Sequence, residues 1–291
     1  MNERLFARLA VRLEHEAVVL ASVLETRGAT PRKRGARMLI GAQDSDASVG
    51  GGLAEARVLA AARALLAGAG ESEIVDIDLG GGPDAAGVCG GRMRIGLRCW
   101  QGAEALERAR AIANSLASGM ELELGGDEFG DEEAREVLRP DDRLLIVGAG
   151  HCGQALCELA TPLDFDVWLF DAEGERLDAA RLPQATLLGS DYSKLADALR
   201  TQRRVQAVLL NRDFHADVRT LEALAHSPPS FVGMMGSRKR IATVRAAVPG
   251  FDASFAHLEA PIGLDIGAQT PHEIAVSILA RLISDRHART P

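Results

Sequence analysis

The chain has 291 residues, of which 47% are hydrophobic and 25% charged, and a formal charge of −8. That composition supports a sizeable buried core, and the length suggests two domains. The acidic balance argues against a general nucleic-acid surface, and no apolar run approaches the roughly 20 residues of a membrane span.

Met1 to Arg12 is charged and faintly amphipathic, without the apolar stretch of a signal peptide. Four cysteines without paired spacing read as reduced thiols, not as a disulfide framework. A cytoplasmic protein is the expectation.

Leu5 to Leu13 reads as a short helix. Ala17 to Leu24 and Ala36 to Ile40 read as strands. Between them, glycine and proline mark a loop. Arg27, Arg32, Lys33, Arg34 and Arg37 make it strongly basic. Two readings stay open: a cradle for phosphate or carboxylate, which guanidinium forks suit, and a solvated hairpin tip. Gly50, Gly51 and Gly52 then lead into an Ala/Leu-rich helix running to about Ala67. They suit close approach of a ligand at the helix start, or a flexible turn. Glu55 lies in the first helical turn, where the dipole favours a carboxylate.

Glu73 to Leu79 is a strand, broken by Gly80-Gly81-Gly82-Pro83. After Gly87 comes Cys89-Gly90-Gly91. A strand of period two follows, with Met93, Ile95, Leu97 and Cys99 on one side and Arg92, Arg94 and Arg98 on a solvated face. Cys89 sits in a glycine-lined loop. It can be an accessible nucleophile, a sulfur carrier, a soft-metal ligand, or a small residue in a tight turn. Cys99, Cys152 and Cys157 read as packing residues.

Glu104 to Ser118 is a helix and Met120 to Leu124 a short strand. From Gly125 to Asp142 the chain turns acidic. This shift divides it into an α+β domain over 1–125, an acidic, partly disordered connector over 126–142 and a second domain over 143–291.

The second domain opens on an apolar run from Arg143 to Val147, then Gly148-Ala149-Gly150-His151-Cys152-Gly153. A helical stretch from Gln154 to Ala160 follows, then a strand over Val167 to Phe170 ending in Asp171. That order is a Rossmann-type start. Gly148 makes the turn, Gly150 admits a pyrophosphate, Gly153 lets helix and strand pack, and the helix N-terminus attracts an anion. Strands over Ala185 to Leu188, Val205 to Leu210 and Ser230 to Met235 alternate with helices near Lys194 to Arg203, Asp217 to Ala225 and Lys239 to Val248. Alternation implies a parallel sheet with helices on both faces and ligands at the carboxyl ends of its strands. After the Val205 strand, the acids and histidine of Asn211 to Asp217 can bind a metal or cap the next helix, with Asp217 as the plainer choice of cap. Gly236 and Ser237 are a turn and a cap, and Arg238 strengthens an anion site there. Asp265 reads as a buried acid in a glycine-rich loop. Thr270-Pro271-His272-Glu273 is a capping box opening a helix that buries Ile274, Ile278, Leu279 and Leu282.

The ordered set of Thr26–Arg32, Ser48–Gly52 with Glu55, Cys89–Gly91, Gly148–His151, Gly236–Arg238, Pro261–Gly267 and Thr270–Glu273 resembles the XdhC/CoxI family of xanthine dehydrogenase accessory proteins. The resemblance runs from about Val18 to Leu282. It implies binding and protection of molybdenum cofactor (molybdopterin). It also implies sulfuration through a cysteine desulfurase and handover to a molybdenum hydroxylase apoenzyme of the xanthine dehydrogenase type. A homodimer is expected. The candidate phosphate ligands are Arg27, Arg32 and Arg238. Gly50, Gly51, Gly52, Gly90 and Gly91 would admit the ring, and Cys89 would touch the molybdenum or its sulfur. Glu55, Gly148, Gly150, His151, Gly153, Asp171, Gly236, Ser237 and Asp265 complete the cofactor-binding set. The chain departs from the family's Thr-His-Asp-His-type segment at Asn211, Arg212 and Phe214, and His215 is out of register. The alternative is an NAD(P) oxidoreductase, with Asp171 on the ribose. Tyr192 has no lysine at the Tyr-x-x-x-Lys spacing, because Ala196 stands there.

Overall fold

The computed structural model describes residues 2–81, 87 and 90–288. Two compact units divide the chain, Met1–Pro140 and Asp141–Pro291. Each has its own sheet.

The first unit runs α1 (Asn2–Arg12), β1 (Val18–Arg27), β2 (Arg37–Ile40), β3 (Ser45–Ala47), α2 (Gly52–Ala64), β4 (Ser72–Asp78), β5 (Arg92–Trp100) and α3 (Gly102–Ala117). It closes with β6 (Leu122–Leu124), α4 (Gly126–Phe129) and β7 (Glu136–Leu138). The main sheet has the order β3-β2-β1-β5-β4, and every neighbouring pair is antiparallel. Val19, Ala21 and Val23 of β1 share one face with Met93, Ile95 and Leu97, packed against Ala54, Val58 and Ala62 of α2. Val18, Leu20 and Leu24 lie on the other face under Leu5, Phe6 and Leu9 of α1 and Ile112 and Leu116 of α3. Burial on both faces explains why β1 reads as an unbroken apolar run. The strand also continues to Arg27, through residues expected in the loop.

The acidic stretch expected as a loose connector is folded instead. Electrostatics explains the difference. Glu128 pairs with Arg108 at 2.6 Å, Asp131 with Arg94 at 3.0 Å and Glu136 with Arg37 at 2.8 Å. β7 pairs with β6, and the fully buried Phe129 lies in the core beside Leu124 and Leu138. The segment is a strap whose carboxylates answer arginines of the sheet and α3. Arg37, read from sequence as part of the basic loop, is therefore structural. Its side chain is only 1% exposed, donates to Asn2 Oδ1 and the Gly35 carbonyl, and sits 5.6 Å from the Phe129 ring centre.

The second unit is the expected α/β structure. Its strands are β8 (Asp142–Val147), β9 (Phe165–Phe170), β10 (Thr186–Gly189), β11 (Val205–Leu209) and β12 (Phe231–Met234). Its helices are α5 (His151–Ala160), α6 (Ser193–Leu199), α7 (Phe214–Leu224), α8 (Arg238–Ala247), α9 (Phe251–Ser254) and α10 (Pro271–Ala288). The sheet is wholly parallel in the order β10-β9-β8-β11-β12. Leu144 and Ile146 of β8 face α5 and α10, while Leu145 and Val147 face α6, α7 and α8. Thr270 and Glu273 make the capping box: Glu273 Oε2 accepts from the Thr270 N–H at 2.9 Å, and Thr270 Oγ1 accepts from the Glu273 N–H at 3.3 Å. Among the described residues, no helix is long and apolar enough to cross a membrane.

Removing Glu136 leaves a buried guanidinium without its carboxylate. Glu136→Ala is expected to lower apparent stability by about 3 kcal/mol in urea unfolding. Glu133→Ala, on the exposed side of the same strap, should stay within about 0.5 kcal/mol of wild type.

Candidate functional site

In the first unit, three motifs far apart in sequence converge. β1 ends at Arg27, and the next residue, Gly28, has φ +70°. A Cβ on Gly28 would lie 3.0 Å from the Gly90 carbonyl oxygen, and one on Gly91 would run into the carbonyl oxygens of Ala29 and Arg27. The two loops therefore touch backbone to backbone, which only glycine permits. A Cβ on Gly50 would lie 2.8 Å from Cγ of Pro31, so the basic loop also rests on the glycine triplet. Gly51 and Gly52 have open space around them. Glu55 braces this corner. Its Oε2 accepts from Ser48 Oγ at 2.5 Å and from the Gly51 N–H at 3.1 Å. The chain thus brings together Arg27, Gly50, Gly51, Gly52, Glu55, Gly90 and Gly91, with Arg32 exposed on the same loop as Pro31. Cys89 lies outside the described residues.

The second unit places its candidate site at the point where strand order reverses, between β8 and β11. A cavity of about 480 Å³ opens there, lined by Gly148, Gly150, His151, Cys152, Asp171 and Asn211 among others. Asp171 is 3% exposed. Its Oδ2 accepts from the Ala149 N–H at 2.7 Å and its Oδ1 from the Glu173 N–H at 2.9 Å. Gln154 Nε2 donates to the Ala149 carbonyl at 2.9 Å, so the glycine turn is held from both sides. A carboxylate has about four acceptor positions, so Asp171 retains capacity for a ligand hydroxyl. Gly153 packs so closely that a Cβ there would collide with the Gly148 carbonyl oxygen. Gly150, with φ −68°, has nothing within 4 Å of where its Cβ would be. Arg176 pairs with Glu173 at 2.5 Å and reaches Asp171 at 3.6 Å.

One wall of this cavity depends on a residue that sequence reading missed. Arg240 of α8 donates to the carbonyls of Asn211, Arg212 and Asp213 at 3.0, 2.6 and 3.0 Å. It also pairs with the buried Asp217 at 2.5 Å. Burial pushes the Asp217 carboxyl above its ordinary pKa, and Arg240 opposes that shift. Asp217 is therefore not the cap of α7. Asp213 is, accepting from the Ala216 N–H at 2.8 Å. No local spacing announces this clamp, since Arg240 and Asp217 lie on different helices.

The remaining candidates lie elsewhere. Ser237 caps α8, accepting from the Arg240 N–H at 3.3 Å, with Gly236 before it and Arg238 exposed after it. Asp265 is exposed, which corrects its reading as a buried acid. The neighbouring Leu264 is tied to α10 by the Ser277 hydroxyl at 2.6 Å, and the Asp265 carboxylate points into no core. Burial pushes the Cys157 thiol up to about 11 and raises that of Cys99, so both are packing thiols as expected. Cys152 is half-buried and lines the cavity. Among the described residues no three His, Cys, Asp or Glu side chains are grouped to hold a metal.

A model of the XdhC and CoxI family matches residues 11–78, and the XdhC Rossmann domain matches residues 144–282. The chain is 27% identical over 284 residues to the uncharacterized protein YqeB of Escherichia coli K12, covering 94% of this chain and 45% of that one. It is 28% identical over 150 residues to a probable xanthine dehydrogenase component of Bacillus subtilis, covering 51% of this chain and 44% of that one. The chain thus spans less than half the length of either relative. A crystal structure described as a xanthine dehydrogenase from Bacillus halodurans shares the fold, with a TM-score of 0.82 at 21% identity over 99% of this chain and 96% of that one.

The two glycines of the turn should respond differently to one methyl group. Gly153→Ala is expected to cost about 3 kcal/mol or more in urea unfolding, because backbone must move. Gly150→Ala should stay within about 1 kcal/mol of wild type, the cost of a poorer helix cap.

Proposed function

We propose, from the fact that this chain belongs to the XdhC and CoxI family of xanthine dehydrogenase-related accessory proteins, that it carries molybdenum cofactor to a molybdenum hydroxylase apoenzyme. The observation that supports this most directly is the convergence in the first unit of the basic loop, the glycine triplet and the Gly90–Gly91 turn. The residues present suit a phosphorylated pterin. Arg27 would hold its phosphate, with Arg32 exposed on the same loop, and the open space at Gly51 and Gly52 would admit the ring. Cys89 adjoins Gly90 in sequence and would supply a soft ligand to molybdenum or its sulfur. When bound, the cofactor would bring the metal and dithiolene chemistry of the client enzyme. The protein's own part is to bind, shield and release it, and to present it for sulfuration by a cysteine desulfurase. A cytoplasmic homodimer acting as a maturation factor, not a catalyst, fits that role.

A second reading is supported by the second unit. Open space at Gly150 and the strand-end carboxylate of Asp171 suit the pyrophosphate and ribose of NAD(P). On that reading the unit would act as an oxidoreductase.

Equilibrium binding of purified molybdopterin separates the two. Wild type should bind it, Arg27→Ala should weaken binding about tenfold, and Cys89→Ala should lose delivery to the apoenzyme. No binding by wild type would refute the proposal, and unchanged delivery by the cysteine variant would remove the role of Cys89. An NADH fluorescence titration tests the second reading. Tight binding abolished in Gly150→Ala, with substrate-dependent turnover, would favour it over the first.

A further inference from the structure

One end of the first unit's sheet carries charges on the face that α1 and α3 cover further along. Arg92 and Arg94 are even-numbered positions of β5, on the side of Trp100, which packs in the α1/α3 core. In register, Glu25 of β1 lies opposite Arg94, and Arg94 opposite Asp76 of β4. Two positions on, Arg27 lies opposite Arg92, and Arg92 opposite Asp78. These residues line a cavity of about 460 Å³.

The charges are balanced in number but not in place. The first row sets one arginine between two carboxylates, and Arg94 is further paired with Asp131 at 3.0 Å. The second row sets two arginines side by side. Cross-strand partners have Cβ atoms about 5 Å apart, and like charges there are destabilising. Relief is slight. Asp78 stands 3.9 Å from Arg92, which is 76% exposed, and its carboxylate already accepts the Gly80 N–H at 2.8 Å. The Arg27 guanidinium has no hydrogen-bond or ion-pair partner among the described residues.

We propose that Arg27 and Arg92 form an anion fork that takes the phosphate monoester of the carried ligand. The identity of that ligand rests on the function proposed above; the anion site does not. A phosphate offers three acceptor oxygens to two guanidinium groups and removes the repulsion between them. The carboxylates of Glu25 and Asp76 repel the same anion, which confines it to the arginine row. Arg92 thereby gains a role that an exposed strand residue on a solvated face would not have. The fork also predicts a reciprocal signature: each arginine weakens the empty protein and strengthens the loaded one.

The test compares Arg27→Gln, Arg92→Gln and Arg94→Gln by thermal unfolding and by equilibrium binding of three probes: inorganic phosphate, a pterin without phosphate, and molybdopterin. Without ligand, the first two variants should melt about 1–3 °C above wild type. Their affinity for phosphate and molybdopterin should fall about tenfold, with binding of the unphosphorylated pterin unchanged. Arg94→Gln, which loses its strap carboxylate, should melt lower and keep its phosphate affinity. The fork is overturned if Arg27→Gln and Arg92→Gln melt lower than wild type and bind phosphate and molybdopterin as wild type does. If wild type binds phosphate through both arginines but not molybdopterin, the fork stands and the cofactor reading falls. If molybdopterin binds equally to wild type and both variants, the cofactor reading stands and the fork falls.

Discussion

Main chain pressed against main chain is the constraint on which both candidate sites depend. Gly91 against the Ala29 and Arg27 carbonyls holds two loops of the first unit together. Gly153 against the Gly148 carbonyl holds α5 to the turn after β8. In each case a single methyl group would fill the gap that makes the site possible. The open positions lie beside these tight ones. Gly51, Gly52 and Gly150 have no neighbour where a side chain would start. The same residue type thus serves two opposite purposes: it closes the scaffold at one position and leaves room for a ligand at the next.

Charge organises the first unit in a comparable way. The strap from Gly126 to Leu138 is drawn onto the sheet by arginines that would otherwise be exposed or buried alone. Arg37, Arg94 and Arg108 are all answered there. Arg34 adds a hydrogen bond of 2.9 Å to the Arg135 carbonyl, which ties the basic loop to the strap as well. What is left unanswered at the end of the sheet is then informative. A protein that pairs so many of its arginines, yet sets Arg27 beside Arg92, has put positive charge where folding alone gives no reason for it.

Much of this was legible in the sequence because the signals were local. The second unit's strand, glycine turn, helix and strand-end acid follow one another within 30 residues, and β8 buried on both faces reads as a continuous apolar run. The capping box at Thr270 to Glu273 is likewise a short-range pattern. Most of the misreadings were long-range. The acidic segment looked like a linker because its partners Arg37, Arg94 and Arg108 are scattered through earlier elements. Arg37 looked like part of a cationic loop because nothing nearby in sequence told of Glu136. Asp217 looked like a cap because its real partner, Arg240, lies a helix and a strand away. Asp265 looked buried because glycines around an acid suggest an enclosed turn, whereas the loop lies at the surface.

The clamp made by Arg240 has a consequence for how the rim of the second unit's cavity can vary. Three of its bonds are to carbonyl oxygens of residues 211–213. Carbonyls are the same whatever side chain the residue bears. At Arg212 the path of this rim is therefore indifferent to the side chain displayed on it, whereas Asp213 also caps α7 and Asn211 donates to Asp217 at 3.1 Å. A different side chain at Arg212 would leave the loop's course unchanged, because Arg240 holds that residue by its carbonyl. The group that Arg212 shows to a bound molecule is exchangeable, like type set in a fixed frame, while the frame there answers to an arginine on another helix.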